Sequence, residues 1–133
     1  MFTHESLLRV RYAETDRMGY VYYGNYATYF EVGRVEAMRA LGIPYKMLED
    51  QGILLPVSSY EVKYLQPALY DDTLRIVTTI PTIPSVRIRF EYQAFRDDTL
   101  LCKAATELVF VNASTGKPMR APDFVLHSFA PFQ

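Results

Sequence analysis

The chain is 133 residues long, half of them hydrophobic, with a formal net charge of -1. That length suits one domain, residues 1–133, with a real core and little room for a second. The near-neutral balance, without a run of like charges or a basic arm, gives no basis for nucleic-acid binding, though a local basic patch facing a phosphorylated ligand stays open.

Met1 to Glu5 has neither the basic start nor the apolar centre of a signal peptide. No apolar stretch approaches the roughly 20 residues of a membrane helix, so no membrane span and a cytoplasmic protein are expected. Leu7 to Thr15 alternates loosely and is expected as a first strand. Asp16 to Tyr23, with Gly19 inside and Gly24 just after, reads as a compact loop. From Asn25 the period changes. Tyr26, Tyr29, Phe30, Gly33, Ala37, Ala40 and Leu41 fall on one stripe at helical spacing, which predicts an amphipathic helix. Asn25 is placed as its N-cap, and Gly42 followed by Pro44 stops it. The small residues Ala27, Gly33, Ala37 and Ala40 suit close packing on a sheet. Pro44 to Asp50 predicts a short helix ended at Gly52.

The rest of the chain alternates with period two, the mark of strands with one buried face. Tyr60, Val62 and Tyr64 form one apolar set, and Leu74, Ile76, Thr78 and Ile80 a second. Val86, Ile88, Phe90, Tyr92 and Ala94 form a third, and Leu100, Cys102, Ala104, Thr106, Leu108 and Phe110 a fourth. Turns fall at Gln66-Pro67, Pro81 to Ser85, Asp97-Asp98 and Ser114 to Pro118, and Asp97-Asp98 predicts a tight hairpin. Cys102 is the only cysteine, so no internal disulfide forms, and its strand context predicts a buried structural thiol. Pro122 to Ser128 predicts a short closing helix. A strand, one long helix and four antiparallel strands make an α+β layer fold. One helix cannot cover both faces of such a sheet, and Val77, Val109 and Val111 add apolar character to the second face. A homo-oligomer is therefore expected.

Elimination narrows the chemistry. The chain has no nucleophile elbow, phosphate loop or dinucleotide fingerprint. His4 and His127 lie near opposite ends and lack the partners of a zinc motif, so no metal and no cofactor are expected. What remains is a carboxylate-bearing loop at a helix entrance, Tyr12 to Asp16 and then Tyr22 to Tyr26. The first N–H groups of a helix lack intrahelical partners and sit at its positive end, where they can stabilise a thioester oxyanion. Asp16 could attack the carbonyl carbon or deprotonate a water, or it could simply cap a turn. Glu14 is either an exposed strand-end carboxylate or, on the same face as Asp16, a coupled partner in titration.

The run Tyr12-Ala13-Glu14-Thr15-Asp16-Arg17-Met18-Gly19-Tyr20-Val21-Tyr22-Tyr23-Gly24-Asn25-Tyr26 resembles the signature of the 4-hydroxybenzoyl-CoA thioesterase family. Val62 to Ala68, with Tyr70-Asp71-Asp72-Thr73-Leu74, resembles its second block, and the likeness covers nearly the whole chain. The resemblance implies a hotdog fold, a long central helix wrapped by a curled antiparallel sheet of about five strands. It further implies a homodimer or homotetramer with sites between subunits, and hydrolysis of an acyl-CoA, or alternatively an acyl carrier protein thioester. On it Asp16 is the catalytic carboxylate and the Tyr23 N–H polarises the carbonyl, with Asn25 beside them as a substrate-binding residue. Many bacterial relatives with short acyl substrates carry His where this chain has Tyr23. Coenzyme A brings phosphates, for which Lys117 and Arg120 in Gly116-Lys117-Pro118-Met119-Arg120, then Arg87 and Arg89, are the candidates. The competing readings are a hotdog dehydratase or hydratase, which the lack of a His near the helix entrance disfavours, and a non-catalytic acyl-CoA or lipid-binding module.

Overall fold

The long helix forms where the apolar stripe predicts it. In the computed structural model, which describes residues 1–132, α1 runs Tyr26–Ala40 and is entered through a 3-10 turn at Tyr23–Asn25. Its buried face is Tyr26, Tyr29, Phe30, Gly33, Arg34, Ala37 and Met38, so Arg34 and Met38 stand inside while Ala40 and Ala27 face out. Asn25 occupies the cap position, yet its side chain makes no cap bond. The 3-10 turn continues directly into α1, and the Asn25 amide is used elsewhere. Helix α2, Tyr45–Asp50, follows as expected.

Strand β1 is Phe2–Arg9, so it begins before the expected Leu7 and stops well before Thr15, because Tyr12–Glu14 winds into a 3-10 turn. After the two-residue β2 (Ile53–Leu54) come β3 (Val57–Tyr64), β4 (Thr73–Ile80), β5 (Arg87–Arg96) and β6 (Thr99–Val109). A second short strand, β7 (Val111–Asn112), pairs with β2 in a small ladder that the sequence did not announce. The main sheet is antiparallel with order β1-β4-β5-β6-β3. Asp97 and Asp98 make the hairpin between β5 and β6, with Asp97 at φ 53°, a left-handed position that Asp tolerates. Helix α3, Asp123–Ser128, closes the chain. Among the described residues, no helix is long and apolar enough to cross a membrane.

This single long helix on a five-stranded antiparallel sheet is the hotdog arrangement. The predicted faces of β4 and β5 are buried under α1, as Leu74, Ile76, Thr78 and Ile80 and then Ile88, Phe90, Tyr92 and Ala94. Closest approach occurs at Gly33, where a Cβ would stand 2.6 Å from Thr78 Oγ1 and 2.8 Å from Ile76 Cγ2. Gly33→Ala should therefore cost about 1–3 kcal/mol by overpacking, read as a lowered denaturant midpoint at unchanged slope. An unchanged midpoint would show that the helix has slack there.

The helix sits off-centre. It packs chiefly over β1, β4 and β5; the inner face of β6 is buried at Cys102, Thr106 and Leu108, and only that of β3 is left partly open. Strand β3 is a sheet edge, and its expected buried face is largely open: Tyr60 is 39% exposed and Tyr64 45%, with Val62 half-buried between them. The alternation of Tyr60, Val62 and Tyr64 thus marks a face that this chain does not cover by itself.

Candidate active site

Two segments far apart in sequence meet at the entrance to α1. The first is the loop from Arg11 to Tyr22. Thr15 and Val21 pair in an isolated antiparallel bridge, and the Asp16 N–H donates to Tyr20 O at 2.8 Å. The tip is a tight turn closed by Gly19 N–H to Asp16 O, with Gly19 at φ 78°, a conformation that favours glycine. Asp16 Oδ1 accepts from the Met18 N–H at 2.9 Å and the Tyr20 N–H at 3.3 Å. Its other oxygen, Oδ2, takes no donor among the described residues. The carboxylate thus has one edge fixed by the loop and one edge free. Asp16 caps a turn, as the plainer reading held, and still presents a free edge.

Glu14 holds this loop to the helix. It is neither an exposed strand end nor a partner of Asp16, since its carboxylate turns inward. Glu14 accepts from the Arg11 N–H at 2.8 Å, the Arg11 guanidinium at 2.9 and 3.0 Å, and Tyr29 Oη at 2.8 Å. Burial pushes its carboxyl upward, but the Arg11 N–H, the Tyr29 hydroxyl and the Arg11 guanidinium outweigh that and hold it below the ordinary range. Burial, with the Glu14 carboxylate beside it, raises Tyr29 in turn. The Glu14 carbonyl accepts from the Tyr22 N–H and from Asn25 Nδ2 at 2.8 Å, which is where the Asn25 amide goes. Asn25 is therefore a tether between loop and helix rather than a cap.

The second segment is Tyr64 to Asp72. Tyr64 Oη donates to Tyr23 O at 3.2 Å, and its ring stands edge-on to Tyr26. Tyr26 Oη accepts from the Ala68 N–H. Arg96 clamps this segment from beneath, donating to Pro67 O and pairing with Asp72 at 2.7 Å.

Between the two segments lies a cleft of about 300 Å³ lined by Asp16, Met18, Tyr20, Tyr23, Tyr26 and the stretch Tyr64 to Pro67. It brings Asp16 and Tyr23 together at the opening of α1. Tyr23 and Gly24 begin the 3-10 turn, so their N–H groups have no acceptor within it. Tyr20, Tyr23 and Tyr26 line the cleft, while Tyr29 is committed to Glu14. Tyr64 to Pro67, the end of an apolar strand face and the turn after it, forms the opposite wall.

The remaining candidates lie outside this lining. Arg89 is held by Glu91 at 3.0 Å and Glu61 at 3.8 Å, and Arg87 donates to Ser58 Oγ. Lys117 and Arg120 are exposed and make no ion pair among the described residues. They belong to the segment after β7, beyond the Val57 end of β3, whereas the cleft is at the Tyr64 end. His127 is exposed on α3, and His4 is half-buried on β1. Cys102 is fully buried, and burial pushes its thiol up to about 12, which bars it from acting as a nucleophile. No group of three or more His, Cys, Asp or Glu suited to a metal occurs among the described residues.

A family model described as the thioesterase-like superfamily matches residues 10–129. The Bacillus subtilis protein YneP is 32% identical over 121 residues, which span 90% of this chain and 88% of that one. The acyl-CoA thioesterase YbgC of Haemophilus influenzae is 31% identical over 123 residues, 92% of this chain and 90% of its own. Among solved structures, the DHNA-CoA thioesterase from Staphylococcus aureus is similar with a TM-score of 0.92 at 33% identity, covering 100% of this chain and 92% of that one.

Proposed function

The chain belongs to the thioesterase-like superfamily, and from that premise we propose that it hydrolyses acyl-CoA thioesters to free acid and CoA with Asp16 as its catalytic carboxylate. The observation that carries the assignment is the meeting of the free Asp16 edge and the opening turn of α1 in one cleft. A thioester carbonyl held at the Tyr23 N–H has its developing oxyanion stabilised by an unpaired donor at the positive end of the helix. Asp16 Oδ2 then takes a proton from water as hydroxide adds to the carbonyl carbon, or itself adds to form an anhydride that water opens. In either route the C–S bond breaks and the CoA thiolate leaves and is protonated. Single turnover in heavy-oxygen water that leaves label in the Asp16 side chain establishes the anhydride route with water attacking Asp16 Cγ, whereas direct hydrolysis puts all of the label in the released acid.

The working enzyme is a homo-oligomer in this reading, supported by the open edge and partly uncovered face of β3. Antiparallel pairing of β3 with its copy about a two-fold axis sets the Val57 end of one chain beside the Tyr64 end of the other. Those ends are about 23 Å apart within a chain, at 3.3 Å per residue. The same pairing carries Lys117 and Arg120 toward the cleft containing Asp16 of the partner subunit, where they meet the phosphates of CoA. Asn25 contributes by fixing the Tyr23 turn to the Asp16 loop. Arg87 stands as an additional phosphate contact, and Arg89, already neutralised by two carboxylates, as a weaker one.

Release of free thiol from a panel of acyl-CoAs tests the activity, and absence of turnover on every member would overturn it. Lys117→Ala or Arg120→Ala should raise KM for acyl-CoA severalfold with kcat nearly unchanged, because a phosphate contact binds ground and transition states alike. Acyl-pantetheine substrates, which lack the nucleotide, should be indifferent to either change. Equal losses on both substrates would remove these residues from the CoA site.

A further inference from the structure

We infer that the acyl cleft of each chain is completed by Tyr60 of the partner subunit, carried there by a β3–β3 pairing centred on Val62. The inference rests on the thioesterase reading and the two-fold pairing above, and it adds the register and the residue that crosses.

Backbone direction, face and charge together select the register. Leu65 N–H donates to Leu101 O at 2.8 Å. The alternation of an antiparallel ladder then turns the backbone groups of Lys63, Glu61 and Ser59 toward β6, and those of Tyr60, Val62 and Tyr64 toward the open edge. A strand and its antiparallel copy are related by an axis perpendicular to the sheet, so inner side chains meet inner side chains. The axis therefore passes beside one residue, which faces its own copy. Centring on Glu61 or on Lys63 sets like charges directly opposite, which is unfavourable. Centring on Tyr60 brings Tyr64 opposite Pro56, which has no N–H. It also brings Val62 opposite Ser58, inside the interruption of the ladder between Val57 and Ser59.

Centring on Val62 meets none of these obstacles. Every N–H and C=O that Tyr60, Val62 and Tyr64 turn to the edge finds a partner, and Glu61 faces the partner's Lys63 on the outer side. Lys63 lacks such a carboxylate in a single chain. It stands directly opposite Lys103 and makes no ion pair among the described residues, while exposed Glu61 has only Arg89 at 3.8 Å.

In this register the partner subunit's Tyr60 lies opposite Tyr64, at a Cα separation of about 5.5 Å. Tyr64 lines the Asp16 cleft and bonds to Tyr23 O. Tyr60 stands on the same inner face of β3, opposite buried Thr106, and is itself exposed in a single chain. The sheet of one chain ends at this wall. The partner's Tyr60 extends it with a second aromatic ring against the acyl group.

The test joins two damaged chains. Tyr60→Ala in every subunit should lower kcat/KM for acyl-CoA about tenfold by removing apolar contact. Co-expression of a Tyr60→Ala chain with an Asp16→Asn chain, each with its own affinity tag, gives a heterodimer purified through both tags. One of its two sites joins an intact Asp16 to an intact Tyr60 of the partner subunit, so about half of natural activity should return. If Tyr60 serves its own chain, the one chain with Asp16 keeps a damaged wall, and only about a twentieth returns, which overturns the inference. Natural kcat/KM in the Tyr60→Ala protein overturns it too, as does a chain that forms no heterodimer. Exposed Glu61 and Lys63 give a second reading that needs no chemistry. Glu61→Lys or Lys63→Glu alone should raise the Kd of self-association about tenfold on serial dilution, and the double exchange should restore it. Unchanged single variants, or a double exchange that restores nothing, remove the Val62 register. Absence of turnover on every acyl-CoA would instead bring down the thioesterase reading, with the register still decided by the charge exchange.

Discussion

Asp16→Asn should give a folded protein whose thioester hydrolysis is slower by on the order of 10² to 10⁴, the usual cost of removing a general base, and at least as much if Asp16 is the nucleophile. The substitution suits this site because the two functions of the side chain are divided between its oxygens. Oδ1 accepts from the Met18 and Tyr20 N–H groups, and the carbonyl oxygen of Asn can keep both bonds. Only the free edge changes, from an acceptor with negative charge to an amide that neither attacks nor takes a proton. Asp16→Ala is the informative contrast, because it removes the loop bonds as well and should add a loss of thermal stability. A folded Asp16→Asn protein with natural turnover would make the residue purely a turn former.

Activity should disappear as the protein dissociates. Light scattering during size exclusion should report at least twice the 15.4 kDa chain mass, and serial dilution should lower specific activity in step with that mass. The expectation follows from an edge strand whose backbone donors and acceptors and aromatic side chains lack cover in one chain. It follows as well from the separation of Lys117 and Arg120 from the cleft of their own chain. A 15.4 kDa species that still turns over acyl-CoA would refute the shared site while leaving the fold untouched.

Much of the architecture was legible because it depends on local periodicity. The stripe from Tyr26 to Leu41, the stop at Gly42 and Pro44, and the Asp97-Asp98 hairpin are each written within a few residues. Arg34 was not legible as buried, since a charged side chain on a helix is assigned to solvent until its phenol partners, Tyr45 and Tyr92, are seen to surround it. The β3 face was misread for a related reason. Tyr60, Val62 and Tyr64 alternate identically whether the cover comes from their own helix or from another chain. At the site, Asp16, Gly19 and the helix entrance stood out as a contiguous run. The opposite wall did not, because Tyr64 reaches Tyr23 across 41 positions of sequence. The division of labour between the Asp16 oxygens is also invisible in sequence, being set by backbone donors that every residue carries.

The burial of Cys102 bears on how the reaction can be watched. Each turnover liberates one CoA thiol, which chromogenic disulfides count by exchange with the thiolate. The enzyme's only sulfhydryl is fully buried and, with its thiol pushed up to about 12, almost wholly protonated at neutral pH. The dye therefore titrates product alone. Alkylating agents likewise do not reach Cys102 in the closed fold, so mass-spectrometric labelling of this thiol reports opening of the core around β6.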